Sequence, residues 1–179
     1  MKRFSIIATI AATALGASAA WAGPENFTTG PLIEAYGAVA PVENQMPIPD
    51  GTVFQIAFDI STPAEVGELN RQLVSAARFL NMHAAAGIDP ENMHLAIVIH
   101  GGAVQDVSNG SHFTPGVEPA NADLVATLID HGVKIYVCGQ SAAYHDVNVE
   151  DLLPGVTMAL SAMTAHALLQ QDGYTLNPF

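Results

Sequence analysis

The only cysteine of the chain, Cys138, is the residue with the most distinctive chemistry. It follows the apolar run Val133–Val137 and precedes Gly139, Gln140 and Ser141. A cysteine thiolate is both a nucleophile and a soft metal ligand. Because one cysteine cannot form an internal disulfide, three interpretations are open: a small buried side chain, a partner for a second chain, or a reactive thiol.

The residues after Cys138 favour a stabilised thiolate. Gly139 permits a sharp turn, and Ser141 is a predicted N-cap for a short helix through Tyr144, whose free N–H groups and dipole would favour negative charge. The backbone N–H groups of Gln140 and Ser141 would also hold an anionic persulfide. Such a thiolate attacks a sulfane sulfur donor, takes the outer sulfur as Cys–S–S⁻ and passes it on. Tyr144 follows the thiol closely enough to line its pocket; the alternative is a packing or surface role.

A histidine ends the strand before this one. His100 follows the apolar run 95–99, so its ring is expected at the same edge of the sheet as Cys138, where it would act as an imidazolium partner or proton shuttle. Gly101 and Gly102 would then let a ligand approach the backbone. The alternative is that His100 caps a loop carbonyl and never contacts the thiol.

Metal and nucleotide sites are less well supported. The seven histidines include no i, i+4 pair and there is no second cysteine, so the spacing gives no structural zinc pattern. A soft-metal site assembled across the fold from Cys138, His100 and either His112 or His145 stays open. Neither Gly-x-Gly-x-x-Gly nor a Walker sequence occurs, and we expect no cofactor.

Alternating apolar strands and amphipathic helices predict an α/β fold. Strands are predicted at 53–60, 95–99, 133–137, 156–160 and 174–176, with a long polar loop at 105–119. A first helix is predicted from an N-cap at Thr62, with Pro63 at N1 and Glu65 at N3, and it should end at Gly87. A second helix is predicted after an Asn121 cap and a last one over 161–171. Ligands of open parallel sheets bind at the carboxyl ends of the strands, where Cys138 lies.

The N-terminal residues have the features of an export signal. Lys2 and Arg3 precede the apolar segment 4–15, and Ala20-Trp21-Ala22 fits a secretory cleavage site. We therefore expect residues 1–22 to be a signal peptide, cleavage after Ala22, a periplasmic mature chain and no stable membrane insertion afterwards. Residues 23–51 are rich in proline and predict an extended arm, which either packs on the domain, reaches a neighbouring subunit or is disordered.

Charge and size limit the function further. The chain has 17 acidic and five Lys or Arg residues and a net charge of −12, which makes nucleic acid a poor partner. The part after the signal is long enough for one domain with a single core, predicted at 52–179.

Four motifs together resemble the DsrE/DsrF-like family over residues 52–179. They are His100-Gly101, Cys138-Gly139-Gln140-Ser141, Asp151-Leu152-Leu153-Pro154-Gly155-Val156 and Leu169-Gln170-Gln171-Asp172-Gly173-Tyr174. The resemblance implies a three-layer α/β/α sandwich with a five-stranded, mainly parallel sheet, and assembly as a trimer or hexamer. It also implies a sulfur-relay role in which Cys138 accepts sulfur as a persulfide. Because this chain is predicted to be exported, the tRNA-modifying and sulfite-reductase partners of cytoplasmic members are not carried over.

The sequence thus predicts an exported persulfide carrier. It would act as a sulfurtransferase between donor and acceptor molecules or proteins. Its predicted site has Cys138 and His100 as catalytic residues. The predicted binding residues are Gly101, Gly102, Gly139, Gln140, Ser141 and Tyr144. The alternative is a non-catalytic oligomeric protein that binds a soft metal or small anion, with Cys138 as a ligand or a structural residue.

Overall fold

Five parallel strands form the centre of the domain in the computed structural model, which describes residues 23–109 and 119–178. The strands are β1 (Phe54–Ile60), β2 (Met93–Ile99), β3 (Lys134–Cys138), β4 (Thr157–Ala159) and β5 (Thr175–Asn177). The sheet order is β4-β3-β2-β1-β5, and every neighbouring pair is parallel. All five predicted strands are confirmed, with bounds that differ by one or two residues.

The helices cover both faces of this sheet. They are α1 (Arg71–Ala85), α2 (Ala122–Asp130), α3 (Gly139–Tyr144) and α4 (Ala162–Gln171). One core contains side chains of α1 and α2 together with Ile60, Ile99 and Val137. A smaller core on the other face contains Ala165 and Leu169 of α4 together with strand residues. The structure is therefore the predicted three-layer α/β/α sandwich.

The predicted start of the first helix is wrong. Thr62, Pro63 and Glu65 do not cap it, because α1 begins only at Arg71 and Asn70 is its N-cap. The Asn70 side chain accepts hydrogen bonds from the N–H groups of Gln72 (2.9 Å) and Leu73 (3.4 Å). A capping-box pattern in the sequence was therefore overridden by a second cap eight residues later, which is held by tertiary contacts.

Asn121 is the N-cap residue of α2, as predicted, but its side chain bonds to another segment. No side-chain cap bond is made there, and the side-chain Oδ1 atom of Asn121 instead accepts a hydrogen bond from the Asn70 N–H at 2.8 Å. Asp106 accepts from the Asn70 side chain (2.6 Å) and from the Ala64 N–H (3.0 Å). Burial raises the pKa of Asp106 more than these hydrogen bonds lower it. The segment before α1 is thus held by polar side chains to the segment after β2 and to the start of α2.

The segment after β2 is more regular than predicted. Gly101–Val107 forms a 3₁₀ helix, so the predicted 105–119 loop begins with ordered backbone. Residues 110–118, which include His112, lie outside the described residues. Among the helices of residues 23–109 and 119–178, none has the length and apolar character that a membrane span needs.

The proline-rich arm packs on α1 through one buried amide. The side-chain Oδ1 atom of Asn81 accepts hydrogen bonds from the N–H groups of Leu32 (3.1 Å) and Ile33 (2.8 Å). Its amide group donates to the carbonyls of Ile33, Tyr36 and Gly37. Ile33 is 2% exposed and belongs to the larger core. Of the alternatives left open for the arm, packing on its own domain is therefore the one that the structure shows.

Replacing Asn81 should loosen this arm. Asn81→Ala leaves several buried backbone groups without partners, and we expect it to lower the free energy of unfolding by about 2–3 kcal/mol. Chemical denaturation and limited proteolysis of the arm would measure the effect. Arg71→Ala, at an exposed position of the same helix, is the control and should change stability by less than about 0.5 kcal/mol. Equal stabilities of the two variants would contradict this account of the arm.

Candidate functional site

The carboxyl edge of the sheet brings three chemically active side chains together. Ile99 of β2 pairs with Ile60 of β1 and with Val137 of β3. His100 and Cys138 directly follow this row, and Asp59 directly precedes it. Because side chains alternate along strands, all three lie on the face opposite to the Ile60, Ile99 and Val137 side chains, which is the face that α4 covers.

Cys138 lies where the starts of two helices meet. It is the residue before α3, and the hydroxyl of Ser141 and the backbone N–H groups of Ser141, Ala162 and Gln140 lie close enough to its thiol to lower the thiol pKa. Ala162 is the first residue of α4, so donors come from both helices. The residue is only 6% exposed. The thiol is therefore nearly buried and at the same time surrounded on one side by hydrogen-bond donors.

These donors decide the ionisation of the thiol. Burial alone would raise the pKa of Cys138, since it disfavours the charged form. The hydrogen bonds from Ser141, Ala162 and Gln140 outweigh burial and lower the pKa below the ordinary value of a cysteine. The site thus favours a sulfur anion at a lower pH than a free cysteine would.

Ser141 is oriented by the neighbouring strand end. Its hydroxyl oxygen accepts a hydrogen bond from the Gly101 N–H at 3.0 Å. With that lone pair occupied, the hydroxyl hydrogen is free to point at the sulfur of Cys138. Ser141 was predicted as the N-cap of α3, and this is wrong, because the helix begins at Gly139 with Cys138 as its N-cap. The hydroxyl instead helps to lower the thiol pKa of Cys138.

Gly139 is required by the close approach of the β4–α4 connection. A Cβ at this position would lie 2.7 Å from the carbonyl oxygen of Ala159 and 3.2 Å from that of Leu160. These are backbone atoms that cannot move away cheaply, so a larger residue would push α4 and its Ala162 N–H away from the thiol. At Gly102 a Cβ would lie 3.2 Å from the Pro63 ring, which fixes the preceding loop near the site.

His100 contacts the carboxylate of Asp59. Its Nε2 atom lies 3.2 Å from both carboxylate oxygens of Asp59, and the Nε2 atom of His166 lies 2.7 Å from Asp59 Oδ1. Burial would raise the pKa of Asp59, but the hydrogen bonds from His166 and His100 outweigh burial and hold its pKa below the ordinary value. The structure therefore gives His100 a carboxylate partner that the sequence analysis did not anticipate; its predicted role toward Cys138 stays a prediction.

The remaining predicted binding residues lie at the rim. The Gln140 side chain donates to the carbonyl of Leu160 at 3.3 Å, and the Gln140 backbone N–H helps to lower the pKa of the thiol. Tyr144 is 85% exposed and contacts the His145 ring edge-on at 5.1 Å between ring centroids. Tyr144 thus lies at the surface, where a partner could reach it.

Sequence reasoning missed Asp59, His166 and Ala162. Asp59 could have been found from the sequence, because it is the one charged residue of β1, whose other residues are apolar except for Gln55. His166 follows Ala162 by one helical turn and so continues the inward stripe of α4. The Ala162 contact is made by a backbone N–H, so no side-chain pattern could have indicated it.

No set of three His, Cys, Asp or Glu side chains within residues 23–109 and 119–178 is arranged so that it could hold a metal ion. His112, one member of the soft-metal site considered from the sequence, lies outside this part of the chain.

The fold and the position of the cysteine define a parallel α/β domain with a thiol at a strand end. A known protein family matches this domain. The profile of the DsrE/DsrF-like family matches residues 55–178. The chain belongs to this family. The resemblance drawn from the four sequence motifs is thereby confirmed.

Two solved structures share the fold. The protein of unknown function MTH1491 from Methanobacterium thermoautotrophicum has a TM-score of 0.53 at 17% identity, over 70% of this chain and 99% of its own. The ychN protein from E. coli has a TM-score of 0.52 at 15% identity, over 71% of this chain and 100% of its own. At such identities the similarity concerns the fold alone. No curated protein sequence matches the chain.

The donors around the thiol predict its alkylation behaviour. The rate of Cys138 alkylation by iodoacetamide should rise with pH through a midpoint below that of a free cysteine, because thiolate is the reactive form. Ser141→Ala removes a donor and should move the midpoint to higher pH. Ser75→Ala, on α1, is the matched control and should leave it in place. A midpoint that Ser141→Ala does not move would contradict the assigned contacts.

Proposed function

We propose that this protein accepts sulfane sulfur on Cys138 as a persulfide and delivers it to a second nucleophile. The observation that supports the proposal best is the position of a nearly buried thiol at the start of α3 and beside the start of α4, where the polar groups of both helices lower its pKa. A cysteine that only filled space in the core would need none of these polar groups. Membership of the DsrE/DsrF-like family supports the same kind of chemistry, since sulfur-relay proteins belong to it.

The reaction needs only this one cysteine. With thiosulfate as donor, the Cys138 thiolate attacks the outer sulfur, the S–S bond of thiosulfate breaks, and sulfite leaves with the bonding electron pair. Cys138 then carries –S–S⁻. The donors that lower the thiol pKa would stabilise the terminal sulfur of the persulfide for the same electrostatic reason. Attack by an acceptor thiolate on that terminal sulfur returns Cys138 to its starting state.

The depth of the thiol limits its partners. At 6% exposure, Cys138 can be reached by a small sulfane donor but not by a bulky one without movement of the rim. We therefore include in the proposal that the donor is a small molecule or a narrow, extended group. The acceptor must also place its nucleophile close to the sheet edge.

Export and oligomerisation belong to the proposal as well. The basic, apolar and small-x-small features of residues 1–22 support secretion to the periplasm, where small sulfur compounds or another exported protein would serve as partners. Exposed apolar side chains lie close to the site on the same side of the sheet, among them Leu160, Met163 and Leu168. They support a trimer or hexamer in which a neighbouring chain covers this surface.

Mass spectrometry of the purified mature protein tests the proposal. After incubation with thiosulfate or polysulfide, the protein should gain the mass of one sulfur atom at Cys138, and a later incubation with a low-molecular-weight thiol should remove it. Cys138→Ala should show no gain. Ser75→Ala, on α1 away from the site, is the control that should still acquire the sulfur.

The absence of any adduct in the wild-type protein, under conditions where a small alkylating reagent modifies Cys138, would overturn the proposal. Retention of the intact donor without cleavage of its S–S bond would favour a small-anion binder instead.

A further inference from the structure

The Asp59 carboxylate is the centre of a second polar cluster beside the thiol. It accepts from two imidazoles, His166 at 2.7 Å and His100 at 3.2 Å. Because a carboxylate only accepts hydrogen bonds, each imidazole must carry a proton on its Nε2 atom. The side chains of Asp59 and His100 are 36% and 33% exposed, whereas that of His166 is 16% exposed. The cluster thus has one shielded and one accessible histidine.

His166 is fixed as the shielded member by its other ring nitrogen. Its Nδ1 atom is buried and has no hydrogen-bond partner. A proton on that atom would bury an N–H without an acceptor, which costs about 1–3 kcal/mol. Of the two neutral tautomers of His166, the geometry therefore favours the one with its proton on Nε2, which binds Asp59 and holds the carboxylate in place.

The strand order and the contact of Nε2 with Asp59 together indicate which nitrogen of His100 is available to Cys138. β2 lies between β1 and β3, so His100 stands between Asp59 on one side and Cys138 on the other. Cys138 and His100 each follow the paired residues Val137 and Ile99, which places their backbones about 5 Å apart, the spacing of neighbouring strands. With Nε2 bound to Asp59, the unprotonated Nδ1 remains for the thiol, directly or through a water molecule.

We propose that Asp59, held by His166, is a positioning residue that fixes His100 in the Nε2–H tautomer, so that Nδ1 exchanges a proton with the site of Cys138. This inference rests on the proposed function. The neutral thiol gives its proton to His100 Nδ1 and attacks thiosulfate, and the proton passes to the departing sulfite. The balance is Cys–SH plus S₂O₃²⁻ giving Cys–S–S⁻ plus HSO₃⁻. Carboxylates fix the tautomer of catalytic histidines by the same contact in unrelated enzymes.

Asp59→Asn tests the assignment because it changes the donor pattern at nearly constant shape. The amide oxygen would keep the shorter contact to His166 and turn the NH₂ group toward His100, where the Nε2–H would meet a second donor. His100 should then switch to the Nδ1–H tautomer. We expect the rate of sulfur uptake from thiosulfate near neutral pH to fall by about tenfold or more.

Nitrogen NMR of His100, assigned with His100→Gln, and the rate of mass gain at Cys138 are the two measurements. Asp130→Asn removes the same charge from an exposed helix end and is the control, expected to leave both unchanged. Wild-type His100 should be the Nε2–H tautomer; finding the Nδ1–H tautomer there overturns the inference even if Asp59→Asn fails to fold.

An unchanged uptake rate in folded Asp59→Asn also overturns the inference while leaving the persulfide proposal intact. Conversely, a wild-type protein that takes up no sulfur defeats the proposed function, and the tautomer measurement then still shows whether Asp59 orients His100.

Discussion

The stabilisation of negative charge on one nearly buried sulfur atom is the interaction on which the site depends. Removal from water disfavours a thiolate, so a buried cysteine stays neutral unless nearby polar groups compensate for the lost hydration. Here the compensation comes from Ser141, Gln140 and Ala162, and it outweighs burial. Gln140 and Ser141 lie in α3 and Ala162 begins α4, so the ionisation of Cys138 depends on how both helices meet the sheet.

Contacts around the site hold the starts of α3 and α4 beside Cys138. Gly139 lets the β4–α4 connection approach closely enough for the Ala162 N–H to reach the sulfur. Gly101 donates to Ser141 and so couples the end of β2 to the donor on α3. The register of the central strands places His100 beside Cys138, and it places Asp59 two rows behind them, before the row of Ile60, Ile99 and Val137. Each contact joins neighbouring strand ends, which is why a parallel sheet suits the site.

The sequence predicted the fold well because the strands are short, apolar and separated by helical periodicity, and because four motifs pointed to the family. It also predicted Cys138, Gly139, Gln140 and Ser141 as one local unit, since these residues are adjacent in the chain. It failed where a cap or donor is chosen by a distant partner. Asn70 caps α1 with the help of Asp106 and Asn121, and this arrangement cannot be inferred from the Thr62–Glu65 pattern. Asp59 and His166 are 107 positions apart, and only the fold shows that they meet.

Titration of the thiolate by its ultraviolet absorbance is the most direct test of the central claim. The difference between the wild-type protein and Cys138→Ala should show an absorbance step as the pH rises, centred below the ordinary pKa of a cysteine, while the protein stays folded. A step centred above that value, or none before the protein unfolds, would mean that burial outweighs the donors and would contradict the account.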